Sequence, residues 1–232
     1  MRRVPERIVR RVRVAKDGLL VPKPAGLSFE QAGALPVSAV TALQAVRDQA
    51  RVRAGQRVMV IGAGGGIGTF AVQLARAEGA TVTAVCGPAK ADLARSLGAS
   101  EVIDYTRTGI DADGVRYDVI IDTAGSRPLP VLQRALAPRG TLVLVGGERY
   151  DRPVLTGMAR QASVPLRSLF TRQRLRSFIA RQKATDLRTL TQLAESGTLT
   201  SVIGRTYPLA AAADAIRDIA AGHASGKGII TV

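Results

Sequence analysis

Five glycines fall within the seven positions Gly62 to Gly68, directly after the apolar run Val58 to Ile61 and directly before a helical pattern. Glycine loses more conformational freedom on folding than any other residue and weakens regular structure. A cluster at such a junction therefore means that the backbone must turn sharply there or lie very close to something.

The surrounding pattern limits what that something is. Ile67, Phe70, Ala71, Leu74 and Ala75 recur at helical spacing, and Gly79 ends the segment. The cycle then repeats. "ATVTAVC" predicts a second strand, "AKADLARSL" with Gly98 a second helix, "EVIDY" a third strand and "YDVIIDTAG" a fourth. "LPVLQRALAPRG" predicts another helix and "TLVLVGG" a fifth strand. The strand runs are apolar at consecutive positions, the mark of strands covered on both faces. Strands alternating with helices in this way predict an α/β fold with a doubly wound, parallel Rossmann sheet. Ahead of this core, "GLLVPKPAGLSFEQAGALPVSAVTALQAV" predicts an extended piece and then two Ala-rich helical segments separated at Pro36. After it, residues 183–232 read helix, strand, helix, strand.

In a sheet of this kind the loop after the first strand meets a dinucleotide. Ala63-x-Gly65-x-x-Gly68 is the relaxed form of the dinucleotide fingerprint, with alanine in the first of its three places. Gly65 lets the backbone approach a pyrophosphate, Gly68 lets the helix lie close on the strand, and the helix N-terminus offers unpaired N–H groups to the anion. The stretch Ala63, Gly64, Gly65, Gly66, Ile67 and Gly68 is therefore the candidate cofactor loop. A tight structural turn is the alternative.

The residue at the end of the second strand selects the cofactor. An acid there accepts the ribose hydroxyls of NAD, but this chain reads Val85-Cys86-Gly87-Pro88-Ala89-Lys90, with no acid before Asp92. A carboxylate ~4 Å from a 2′-phosphate would cost about 4 kcal/mol at an effective dielectric of 20. Lys90 would instead contribute roughly 1.5–3 kcal/mol through a charge-assisted contact, so the expected cofactor is NADP(H). A solvated lysine in a first helical turn is the plainer reading. Tyr105, past the third strand, either flanks the adenine or phosphate or simply ends a strand. Ligands in such sheets lie at the carboxyl ends of the strands, which nominates Thr123, Ala124 and Gly125 after the fourth strand and Val145, Gly146 and Gly147 after the fifth. Plain turn roles remain open for these.

Charge and composition narrow the chemistry further. The sequence holds one cysteine, Cys86, and one histidine, His223. Zinc sites ordinarily need three or four Cys, His or carboxylate ligands, so no metal site is expected, and Cys86 reads as a small buried apolar residue. The net charge of +15 comes mostly from arginine, concentrated in the first thirteen residues and in 152–188. Aromatic residues are not interleaved there as in a single-strand stacking platform. A solvated basic face is expected rather than nucleic-acid binding. No window reaches the ~18 uncharged apolar residues of a membrane span, and the start lacks a signal-peptide core. Cytoplasmic location and no membrane partner are the expectations.

With these residues in place, the chain resembles the zinc-independent quinone oxidoreductase-like branch of the medium-chain dehydrogenase/reductase superfamily. The likeness is carried by "LVPKPAGLSFEQAGALPVSAVTAL", "AGQRVMVIGAGGGIGTFAVQLARAEGATV", "LGASEVIDY", "YDVIIDTAG", "LAPRGTLVLVGG" and "YPLAAAADAIRDIAAGHASGKGIITV". It implies pyrophosphate contacts at Gly64, Gly65 and Ile67, NADPH 2′-phosphate contacts at Lys90 and Tyr105, and a nicotinamide neighbour at Thr41. Lys227 matches a recurrent position and receives no role. The resemblance also implies hydride transfer to a quinone, enone or other activated carbonyl of a small-molecule substrate without metal, and no residue stands out as a general acid.

Family members begin with a GroES-like catalytic domain of which this chain lacks most, and "MRRVPERIVRR" resembles nothing at that point. The expected organisation is a remnant of that domain over 1–36, a Rossmann cofactor domain over 37–195 and a return segment toward the catalytic domain over 196–232. Surfaces that would join the missing part are expected to favour a homo-oligomer, a dimer in the simplest case. A non-catalytic NADPH-binding or scaffold protein is the alternative function.

Overall fold

The computed structural model describes residues 19–112, 114–145, 171–222 and 224–232. Its centre is a six-stranded sheet in the order β3-β2-β1-β4-β5-β6, every pair parallel. The strands are β1 (Arg57–Ile61), β2 (Thr81–Cys86), β3 (Glu101–Asp104), β4 (Tyr117–Asp122), β5 (Leu136–Leu144) and β6 (Arg174–Ser177). The chain order reverses between β1 and β4, so the carboxyl ends of these two neighbours open a crevice where a ligand can enter.

Side chains alternate across each strand, and both faces are covered. Val58, Val60, Val82, Ala84, Val119, Ile121 and Val143 point to one side. There they meet α1 (Phe29–Leu43) and α2 (Gly68–Ala77), with Ala39, Val40, Phe70, Ala71 and Leu74 fully or almost fully buried. Met59, Ile61, Val85, Ile120, Leu142 and Leu144 point to the other side. The short α3 (Ala91–Ser96), between β2 and β3, joins the first face through Ala94, and α4 (Leu129–Ala135), between β4 and β5, packs Leu129 and Leu132 on the second. This two-sided burial explains the consecutive apolar residues of the strands, and the doubly wound parallel fold read from them is present. After β6, α5 (Ala184–Glu195), β7 (Ile203–Pro208), α6 (Ala212–Ala220) and β8 (Lys227–Thr231) follow in the expected order, with β7 and β8 forming a parallel pair of their own.

Three local readings need correction. Pro36 does not separate two helices: α1 runs through it, and a π-helical stretch Gln44–Ala50 continues it. Proline deletes one N–H···O bond and its ring crowds the preceding turn. Here Pro36 and Val37 face solvent, so the disrupted turn lies on the wet side of the helix while Ala34, Leu35, Ser38, Ala39, Ala42 and Leu43 hold the buried stripe together. Helix α4 ends at Ala135 and the chain turns extended at Leu136, because Pro138 disfavours helical geometry just before it. Finally, β6 is not legible as a strand in the sequence. It lies in the basic region, where Leu175 is its one buried core residue. Much of that arginine-rich stretch, residues 152–170, lies outside the described residues, and among the described residues no helix is long and apolar enough to cross a membrane.

Candidate functional site

The loop after β1 is built by backbone alone. Gly62 adopts φ +80, a left-handed conformation costly for any side chain, and its N–H and that of Ala63 both donate to Val85 O, at 3.0 and 3.2 Å. Gly65 N donates to Gly62 O at 3.0 Å, closing the turn. The chain enters α2 at Gly68, where a β-carbon would stand inside contact distance of Gly62 O and 2.8 Å from Ala63 Cα. The helix therefore lies closer to the strand-end turn than any residue but glycine allows. Ile67 caps α2 without a side-chain hydrogen bond. Among the described residues the amides of Gly64 and Ile67 have no acceptor, so the helix start presents orphan donors, while Gly66 faces Gly226 O across the bridge. Such donors together with the helix dipole favour an anion.

Lysines line this loop. The stem of Lys90 covers Gly64, where an added β-carbon would lie 2.8 Å from Lys90 Cβ. Its ammonium donates to Ala224 O at 2.7 Å, and burial holds its pKa below the usual lysine range. Lys90 closes the short turn Pro88–Lys90, whose base is the bond from Lys90 N to Gly87 O at 3.0 Å. Tyr105 rises on the other side of the same turn, its ring 3.6 Å from where a β-carbon on Gly87 would stand. The C-terminal segment completes the frame: Gly226 N donates to Gly64 O at 2.9 Å, and Gly65 and Gly226 form a parallel bridge.

The strand ends beside the loop are equally fixed. Thr123 Oγ1 donates to Ile61 O at 2.8 Å and stands next to Gly62. The carboxylate of Asp122, fully buried, accepts the amides of Ala124 and Gly125 at 3.1 and 3.0 Å. Val145 N donates to Asp122 O at 2.9 Å and is buried. The structure thus brings Ala63, Gly64, Gly65, Gly66, Ile67, Gly68, Lys90, Thr123, Ala124 and Val145 to the carboxyl edge of β1, β2, β4 and β5. Gly125 and Tyr105 lie at the rim of that edge. Thr41 sits on α1 with its hydroxyl donated to Val37 O at 2.7 Å. Gly146 and Gly147 lie outside the described residues.

Several residues here escape a reading of the sequence. Gly62 makes the turn that the fingerprint assigns to its first position. Arg127, in the loop after β4, is half-buried. Burial lowers its pKa from the usual arginine value, while the charges of Asp122 and Tyr105 act in the opposite direction. Ser38 and Lys227 meet over Gly66. A cation in the loop after β4 and a serine on a preceding helix carry no sequence signal; only their meeting in space marks them.

Cys86 ends β2 with 3% exposure. Burial pushes its thiol pKa up and outweighs the opposing effect of Lys90. At pH 8 the folded protein is expected to show no reaction with Ellman's reagent over minutes and to yield one thiol per chain once denatured. Rapid titration of the native protein would show instead that the end of β2 opens. Among the described residues no three His, Cys, Asp or Glu side chains come together as a metal site would require.

Comparison with known proteins bears on the family and the fold. Residues 97–230 match the family described as zinc-binding dehydrogenase. A chloroplast envelope quinone oxidoreductase homolog of Arabidopsis thaliana is 33% identical over 231 residues, 94% of this chain and 66% of the relative. A mitochondrial NAD(P)H oxidoreductase of Bos taurus is 32% identical over 229 residues, 90% of this chain and 57% of the relative. The solved structure of a quinone oxidoreductase from Coxiella burnetii superposes with a TM-score of 0.78 at 27% identity, covering 91% of this chain and 63% of that one. The chain thus spans less than two thirds of the length of these proteins.

Proposed function

The chain belongs to the zinc-binding dehydrogenase family of the medium-chain dehydrogenase/reductase superfamily, and on that premise we propose that it binds NADPH and takes part in reducing a quinone, enone or other activated carbonyl. One observation carries the reading: the unpartnered amides of Gly64 and Ile67 stand at the start of α2. A half-buried lysine beside them and no acid at the end of β2 favour the phosphorylated coenzyme. The printed names of the relatives, a quinone oxidoreductase homolog and an NAD(P)H oxidoreductase, support the substrate and coenzyme classes.

When bound, the coenzyme supplies a hydride from C4 of its nicotinamide; with a proton from water this converts a quinone to a hydroquinone or an enone to a saturated carbonyl. The chain's part is placement. The loop amides bind the diphosphate, and Lys90 and Tyr105 hold the 2′-phosphate end. Thr123, Ala124, Gly125 and Val145 form a floor of mostly small residues under the ribose and nicotinamide, and Thr41 borders the nicotinamide. The family's description names zinc, but the donor set does not fit it. With one cysteine, buried, and one histidine in the whole sequence, no step is routed through a metal. The reading keeps the remnant, cofactor and return segments of 1–36, 37–195 and 196–232, a homodimer and a cytoplasmic location; α1 links the first two segments as one helix.

Titration with NADPH and NADH, followed by coenzyme fluorescence and calorimetry, tests the binding. Saturable NADPH binding tighter than NADH binding is expected. Absence of binding by either coenzyme to folded protein would remove the reading. A second assay with 9,10-phenanthrenequinone at saturating NADPH separates a catalyst from a non-catalytic coenzyme-binding protein.

A further inference from the structure

Three parts of the chain far apart in sequence meet over Gly66. Ser38 of α1 is 4% exposed, and its Oγ lies 3.5 Å from the point where a β-carbon on Gly66 would stand. Lys227, the first residue of β8, lays its Cδ 2.8 Å from the same point. Gly66 itself belongs to the loop with orphan amides at the start of α2.

The two side chains lack partners among the described residues. Thr41, one turn further along α1, donates its hydroxyl to the carbonyl four residues back. Ser38, although almost wholly buried as a residue, makes no hydrogen bond through its side chain among the described residues. The Lys227 ammonium meets neither an acid nor a hydrogen-bond acceptor among the described residues, and burial lowers its pKa. Its placement is not a matter of a swinging side chain alone. Lys227 N donates to Val202 O at 2.8 Å, and the neighbouring Gly226 is tied to Gly64 O and bridged to Gly65. The backbone thus commits a cation to the positive end of a helix, where the dipole disfavours it. The Ser38 hydroxyl, the stem of Lys227 and the loop at the start of α2 converge on one place, and no acid pairs with the lysine among the described residues. An anion satisfies the hydroxyl, the ammonium and the loop amides.

We infer that Ser38 and Lys227 contact the diphosphate of the coenzyme, the hydroxyl and the ammonium closing on it across Gly66 while the loop amides hold its other side. The inference rests on the coenzyme reading above and extends it to two residues outside the glycine-rich motif. It also gives two cations different roles, with Lys90 serving the phosphate that distinguishes the coenzymes and Lys227 serving the diphosphate that both share.

The test compares NADPH, NADH and inorganic pyrophosphate on wild type, Lys227→Met, Lys227→Arg and Ser38→Ala, with melting curves to confirm folding. Lys227→Met is expected to weaken both coenzymes and pyrophosphate by about tenfold and to flatten the dependence of Kd on salt. Lys227→Arg should restore most of the affinity, and Ser38→Ala should cost about threefold on all three ligands. Unchanged binding and salt dependence in folded Lys227→Met and Ser38→Ala would overturn the inference. A loss confined to NADPH would overturn it too, by moving Lys227 to the 2′-phosphate. If wild type binds pyrophosphate through Lys227 but neither coenzyme, the anion site stands and the dehydrogenase reading falls; if it binds none of the three, both fall.

Discussion

Lys90→Ala is expected to weaken NADPH by roughly 10- to 100-fold while changing NADH by no more than about threefold. The size follows from what is lost. A charge-assisted hydrogen bond contributes about 1.5–3 kcal/mol, and about 1.4 kcal/mol is a factor of ten. The asymmetry follows from where Lys90 sits. It stands at the end of β2, where an acid would serve an unphosphorylated ribose, and the chain has no acid between Val85 and Asp92. The small NADH effect has its own cause. In the free protein the Lys90 ammonium is bonded to Ala224 O and its stem covers Gly64, so alanine also loosens the segment that frames the loop. Burial already disfavours the charged ammonium, and a phosphate gives it the counter-charge the free protein lacks. Calorimetric Kd values for both coenzymes settle the matter. Equal losses would take Lys90 away from the 2′-phosphate, and no loss would leave it a solvated lysine of a first helical turn.

How much of this is readable in the sequence depends on the distance over which each signal acts. β1, α2 and β2 are legible because a buried strand and an amphipathic helix write their environment into neighbouring residues: Val58–Ile61 are apolar at every position, and Phe70, Ala71, Leu74 and Ala75 recur at helical spacing. β6 writes almost nothing. As the edge strand of the sheet it has one neighbour, buries Leu175 and leaves Arg174 and Arg176 outward, so four residues of Arg-Leu-Arg-Ser carry no pattern. Pro36 misleads for the opposite reason. A local rule against proline in helices is outweighed by packing, since the buried stripe on either side of it rests on α2 and the disrupted turn faces water. The site divides in the same way. The glycine-rich loop and Lys90 belong to one continuous β-α-β stretch and stand out in the sequence. Ser38, Arg127, Ala224 and Lys227 reach the site from separate parts of the chain, and no spacing within one sequence encodes that meeting.

The same loop supplies the sharpest stability contrast, between two glycines that both lie in helices. Gly68→Ala is expected to cost about 2–4 kcal/mol, near and beyond the upper end of overpacking penalties. A methyl group at that position would run into Gly62 O, Gly62 C and Ala63 Cα, all backbone atoms of a turn already fixed by the positive φ of Gly62, so no side chain can swing aside. Alanine's better helix propensity returns at most about 1 kcal/mol, which leaves the clash in command. For a domain of this size that corresponds to a fall in Tm of roughly 5–15 °C. Relief requires α2 to lift away from β1, and lifting it displaces the amides of Gly64 and Ile67, so coenzyme affinity should fall along with stability. Gly33→Ala is the control. Gly33 lies on the exposed side of α1 with ordinary helical backbone and nothing within 4 Å of an added β-carbon, so the propensity gain of about 0.5–1 kcal/mol is unopposed and Tm should rise. Thermal melts of the two variants beside wild type give opposite signs if the helix start is pressed against the turn. A Gly68→Ala protein that melts with wild type and still binds coenzyme would mean that α2 can stand off the strand end, and that the close approach is not what holds the loop amides in place.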